Sequence, residues 1–263
     1  MDVTRTTTGL DFLARIEGSR QASIVDALSG VAPDLAQLAI NFVYGEIYSR
    51  PGLDLAQRQL VTLSALAAMG GLEPQLRFHI AGALNAGCTP RQLVELMIHL
   101  VIYAGFPAAL NGTAALRQVF VARGIVPEAS GAEPASDDPY VAGMAALQEI
   151  DGDAGEKVIA SLRGLSPDLG RFIIDFAFGR IYTRQGLDLH CRELVTVAAL
   201  AAMGCAVPQL KIHIHGFLNV GGTKEQLVEV AIQISAYAGF PRAINAALAI
   251  QEVLGETIAS RPH

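Results

Sequence analysis

Two histidines stand in the same short pattern. His79 closes Pro74-Gln-Leu-Arg-Phe-His and His213 closes Pro208-Gln-Leu-Lys-Ile-His, each followed by Ile, one variable residue and Gly. An imidazole set among apolar residues can act as a general acid or base near neutral pH, or sit as a core histidine bonded to a carbonyl or carboxylate. Arg58 and Arg192 precede them at equivalent places. A guanidinium offers a planar fork to a substrate carboxylate; the alternative is an ion pair with an acid such as Glu95 or Glu229. Tyr103 and Tyr237 each open the string Tyr-Ala-Gly-Phe-Pro and either line a pocket or fill a core. These positions give a candidate site with His79 and His213 as catalytic residues. Arg58, Arg192, Glu95, Glu229, Tyr103 and Tyr237 are the candidates for substrate contact.

No His-x3-His or Glu-x-x-His pair is present, so no metal is expected. The cysteines Cys88, Cys191 and Cys205 form no C-x-x-C pair, and none has a cysteine at the equivalent place in the other half. They read as structural or incidental thiols, and the sparse usage points to a reducing cytoplasm.

The elements that must carry these residues follow from an internal repeat. At an offset of 134 residues the halves align without a gap, and about 45 of roughly 80 positions from Pro33 to Gly112 are identical. We place one domain at 11–124 and the other at 145–258, joined by a linker over 125–144 whose middle is rich in Pro, Ser, Gly and acid. Each copy reads as helix throughout. Asp54 and Asp188 are placed to cap helices that stop at Gly70 and Gly204. Thr89-x-x-Gln92 and Thr223-x-x-Gln226 form capping boxes, and the next helices end at Gly105 and Gly239. No stretch alternates with the period of a strand. The fold class is all-α.

Composition bounds the partners. The net charge of −6 gives no general attraction for nucleic acid or anionic lipid. Mean hydropathy is +0.38, yet the apolar runs are interrupted too often for a membrane span, and the Thr-rich start lacks a signal-peptide core. An Ala-rich apolar chain of this kind suits a homo-oligomer.

The strings Arg-x-Leu-Val-Thr-x-x-Ala-Leu-Ala-Ala-Met-Gly, then Pro-Gln-Leu-x-x-His-Ile-x-Gly-x-Leu-Asn-x-Gly-x-Thr, then Tyr-Ala-Gly-Phe-Pro occur twice, over Pro33–Asn111 and Pro167–Asn245. They resemble the carboxymuconolactone decarboxylase family within the alkyl hydroperoxidase D-like superfamily. The resemblance implies two tandem helical domains and rings of three or six domains, so that three fused chains would make a trimer forming a pseudo-hexamer. It also implies cofactor-independent decarboxylation, or related proton transfer, on a small carboxylated lactone in aromatic catabolism. His79 or His213 would then return the proton, and Arg58 or Arg192 would hold a carboxylate.

The peroxidase branch of the superfamily uses a C-x-x-C pair before the motif histidine. Leu72 and Gln75, and Ala206 and Gln209, stand at those places here, so peroxiredoxin-type antioxidant activity is the disfavoured alternative. A one-cysteine peroxidase using Cys205, and a non-catalytic helical assembly module, are further readings. The differences Glu46/Arg180, Ala81/His215 and His99/Gln233 leave room for two unequal halves.

Overall fold

The computed structural model describes residues 3–127 and 138–259, and the side chains of 4–127 and 138–255. The centre of the proposed linker, 128–137, and the chain termini lie outside the described residues. The described chain is helical, with no strand among the described residues.

The first half runs α1 (Val3–Glu17), α2 (Ser23–Leu28) and α3 (Pro33–Leu38), which continues into a wide π-helical stretch (Ala39–Ile47). Then come α4 (Leu55–Met69), α5 (Glu73–Asn85), α6 (Pro90–His99) and α7 (Val101–Arg123), broken at Gly105. The second half repeats this order. It has α8 (Pro139–Asp151), α9 (Asp153–Leu162), α10 (Pro167–Phe172) and a second π stretch (Ile173–Tyr182). These are followed by α11 (Leu189–Met203), α12 (Val207–Asn219), α13 (Lys224–Ala238) and α14 (Phe240–Ala259).

Local chemistry sets the boundaries. Asp54 accepts from the Gln57 amide and Gln57 answers to the Asp54 amide, closing a capping box that starts α4. Asp188 caps α11 in the same way, but Cys191 has no oxygen to return the bond. Thr89 and Thr223 form complete boxes with Gln92 and Gln226. At Gly105 and Gly239 φ is +81° and +86°, a conformation that costs a side-chain-bearing residue about 1–2 kcal/mol.

The sequence did not announce the π stretches. Each lies directly on the first helix of its own half, backbone against backbone. A Cβ on Gly143 would fall 2.2 Å from the Ile174 carbonyl oxygen, and one on Gly179 2.0 Å from that of Pro139. Gly9 and Gly45 make the same approach to Ile40 and Arg5, at 2.2 and 2.6 Å. Only glycine permits this spacing. It buries Tyr48 and Tyr182, which stand at the ends of the two π stretches, 2% exposed each.

The two halves are interleaved. Helices α4 and α11 pack on each other at the centre, and the Ser64 hydroxyl donates to the Val195 carbonyl. The small residues Ala65, Ala198, Ala199 and Ala201 allow that close approach. Leu187, Val195 and Ala199 of the second half join the core around Leu60, Leu63 and Leu96 of the first, and Val61 and Ala65 join the reciprocal core. Each buried Leu or Val contributes about 1.5–3 kcal/mol.

Candidate functional site

Two related clusters lie where the halves meet, and each draws residues from both. Helices α5 and α12 deliver His79 and His213, and α4 and α11 deliver the partners of their Nδ1 atoms. Helices α7 and α13 deliver a tyrosine from the opposite half. The Tyr103 ring stands edge-on to His213, with centroids 4.9 Å apart, and Tyr237 does the same to His79 at 5.1 Å. The sequence-predicted histidines and tyrosines are thus brought together, across the repeat rather than within it.

The clusters differ in chemistry. His79 Nδ1 is 2.9 Å from the Gln59 amide oxygen. His213 Nδ1 is 2.9 Å from the Glu193 carboxylate, at the equivalent place. Burial drives the His79 pKa down to about 3, so this ring is neutral. Burial also pulls on His213, but the charge and hydrogen bond of Glu193, with the charge of Asp151, outweigh it; its pKa is raised above 6.5. Neither histidine Nε2 is hydrogen-bonded among the described residues.

Behind His213 the hydrogen bonds form a chain. Tyr182 donates to Glu193 at 2.5 Å, and the Tyr103 and Tyr182 hydroxyls are 2.5 Å apart. Burial raises the pKa of both tyrosines, and the Glu193 charge raises it further, so both stay protonated. In the first cluster Tyr48 bonds the Tyr237 hydroxyl at 2.8 Å and Thr62 at 3.2 Å, with no carboxylate in the chain. The Gln59 amide nitrogen is buried without a partner among the described residues.

The kept arginines and glutamates meet each other. Arg58 and Arg192 are fully buried. Arg58 pairs with Glu229 at 2.9 Å, and Arg192 with Glu95 at 3.3 Å, each acid coming from the other half. Arg50 joins the cluster on Glu229, and Arg184 and Arg91 join the cluster on Glu95. A direct grip on a substrate carboxylate by Arg58 or Arg192 would require these pairs to open. Arg192 also lies 3.4 Å from His99 Nδ1, while His99 Nε2 is 2.8 Å from the Thr196 hydroxyl. Burial, then Arg192 and His213, hold the His99 pKa well below 6.5.

Cys88 and Cys191 are pushed up to about 12 by burial and nearby acids, so they are held as thiols; Cys205 is exposed. Asp188, His190 and Cys191 bring three ligand atoms within 4.8 Å of one another, a group that could hold a metal ion. None of the three is hydrogen-bonded to the His213 chain: Asp188 caps α11 and His190 contacts Gln226. An apolar groove of about 380 Å³, lined by Phe42, Ile47, Arg50, Phe240 and Ile244 among others, includes neither histidine.

Glu193, Gln59, Tyr48, Tyr182 and Asp151 were not among the sequence candidates. The signal for Glu193 was its spacing of 20 residues before His213, matched by Gln59 before His79. Selecting only positions identical in both halves passes over that pair.

Comparison with known proteins agrees with this duplicated architecture. The model of the "Carboxymuconolactone decarboxylase family" matches residues 33–118 and again 167–252. A 4-carboxymuconolactone decarboxylase of Acinetobacter baylyi is 34% identical over 128 residues, 48% of this chain and 95% of that protein. A nitrosuccinic acid decarboxylase of Metarhizium robertsii is 32% identical over 75 residues, 28% of this chain and 52% of its own length. A solved structure from Burkholderia xenovorans, provisionally assigned as a gamma-carboxymuconolactone decarboxylase subunit, covers 96% of this chain and 98% of its own. It superposes with a TM-score of 0.60 at 26% identity. The chain belongs to the carboxymuconolactone decarboxylase family and carries two tandem copies of its domain.

Proposed function

We propose that this protein is a carboxy-lyase that decarboxylates a small carboxylated lactone, or a close chemical analogue, with His213 as the proton donor. The observation that carries this reading is the unequal pair of histidines: Glu193 raises the His213 pKa above the usual imidazole value and so favours its charged form, whereas burial beside the neutral Gln59 leaves His79 uncharged. The decarboxylases among its relatives support the reaction class.

Breaking the C–CO2 bond leaves an electron pair on carbon, which in an unsaturated lactone spreads to the lactone carbonyl. The reaction then needs a proton at carbon and a surrounding that stabilises the delocalised anion. His213 Nε2, with Nδ1 anchored on Glu193, is oriented to deliver that proton. The imidazolium also balances the anion until transfer. The Tyr103 ring, edge-on to His213, bounds the reacting space, and Arg192 adds positive potential from behind His99.

The first cluster serves as a structural counterpart. Glu95 and Glu229 hold the halves together through Arg192 and Arg58. We further propose a homo-oligomer, with the exposed apolar residues Phe106, Phe172, Phe240 and Ile244 at subunit contacts. Among the described residues no single helix is long and apolar enough to cross a membrane. The test is CO2 release from a panel of carboxylated lactones. His213→Gln should abolish turnover and His79→Gln should largely keep it; the reverse order would overturn the assignment.

A further inference from the structure

The last residue of α8 supplies a feature that the proton-donor reading does not use. Asp151 is 8% exposed, and its Oδ1 has no hydrogen-bond partner among the described residues. A buried carboxylate oxygen without a partner costs about 1–3 kcal/mol or more, so its retention calls for a reason. The oxygen lies beside the Glu193–His213 pair. A Cβ placed on Gly216 would sit 3.1 Å from Asp151 Oδ1 and 2.9 Å from Glu193 Oε2, so the missing side chain leaves room for both carboxyl groups.

The first half lacks this arrangement. Glu17 occupies the equivalent place, but its carboxylate turns away to accept from the Ser23 hydroxyl at 2.7 Å and the Ser23 amide at 3.2 Å. A Cβ on Gly82 would come nearest to the Ile16 side chain and the Gln59 amide, with no carboxylate oxygen among those nearest atoms. One half therefore sets two carboxyl groups beside its imidazole, and the other sets none.

We propose that Asp151 is a positioning residue of the second cluster. Facing Glu193 across Gly216, it holds the proton on His213 and makes this half of the duplicated chain the acid–base half. The inference rests on His213 being the working histidine, but it concerns the protonation of that ring and not the substrate. The charged groups on α14, Arg242 and Glu252, are engaged with Met69 and Lys211, and the balance at the ring is set by the nearer groups. Glu193 on α11 and Asp151 on α8 favour the charged ring. Tyr103 on α7 and Tyr182 at the end of the π stretch are neutral phenols, and His99 on α6 is neutral beside Arg192. Asp153 and Glu156, at the start of α9, are exposed. Asp151 itself is raised to about 6: burial raises it, His213 pulls it back and Glu193 raises it again. Its charge is thus present at neutral pH and is lost in mild acid.

The test is the titration of the His213 ring in the full-length protein, followed by NMR of labelled histidine without substrate. Asp151→Asn should lower the His213 midpoint by about one pH unit and leave His79 unmoved. Asp151→Glu should restore most of the shift. An unmoved midpoint in a folded Asp151→Asn protein would overturn the proposal. Should that variant not fold, carboxyl-carbon NMR of the unsubstituted protein decides. The Asp151 signal should show a second inflection at the His213 midpoint, as coupled groups do; a single independent step would overturn the proposal. A shifted midpoint in a protein without lyase activity would retain this inference and remove the proposed reaction. An unmoved midpoint with intact turnover would do the opposite.

Discussion

At the scale of single residues, the main difference between the two clusters is that Gln59 presents an amide where Glu193 presents a carboxylate. Conversion of Glu193 to Gln should make His213 resemble His79, lowering turnover by about 10²-fold or more. Measuring kcat across pH in both proteins checks this. With the protonated His213 ring as the proposed donor, the rate should fall as pH rises through its raised pKa. Stability follows opposite signs at the two sites. The folded-state pKa of His213 is raised, so its contribution is complete below about 6.5 and is lost as pH rises through the folded value. The His79 pKa is depressed to about 3, so the unfolded chain takes up a proton first, and stability falls as pH drops from about 6.5 toward 3. In His79→Gln the acid-side loss in a thermal-unfolding series should shrink.

The residue scale is also where sequence reading ran short. His79, His213, Tyr103 and Tyr237 were legible because both copies keep them. Pairing across the halves was not, since it depends on how α4 and α11 cross. Arg58 and Arg192 could be read equally as anion clamps or as ion pairs; the structure shows them paired with Glu229 and Glu95. Glu193 escaped notice because its importance lies in its being different from Gln59.

At the scale of elements, caps and glycine stops marked both ends of α4, α11 and α13 and the start of α6 well, because each rests on a local hydrogen bond or a backbone angle; α6 itself ends at His99, six residues before the expected Gly105. The π stretches rest instead on a long-range contact that no local pattern encodes. That contact can be broken selectively. Gly179→Ala would force a methyl group into the Pro139 carbonyl, 2.0 Å away, and shift α8 off the π stretch. We expect a loss of about 2–3 kcal/mol or more in denaturant unfolding. Tyr182 and Asp151 ride on the two elements concerned, so activity should fall further than stability alone explains. Gly164→Ala, where a methyl group meets nothing within 4 Å, is the control.

At the scale of the whole molecule, the repeat was fully legible and the interleaving was not. Removing Glu95, on which Arg192, Arg184 and Arg91 converge, should cost about 3–5 kcal/mol, because the buried Arg192 charge is left without its carboxylate, whereas removing Arg192 leaves Glu95 two cations and should cost less. Glu95→Gln and Arg192→Met can be compared with the double variant by urea unfolding, and the double variant should recover part of the loss. The second half expressed alone would lack Tyr103, His99 and Glu95, and should show no lyase activity even where it folds.

The joining of two copies into one polypeptide has a further consequence. In a ring built from identical single-domain subunits, one gene writes every pocket, so a change of Glu to Gln would disarm all of them at once. Here each pocket borrows side chains from the other copy, yet the codons for positions 59 and 193 mutate independently. Fusion thus permits one copy to lose its carboxylate while the other keeps it, a freedom that an unfused homo-oligomer does not have.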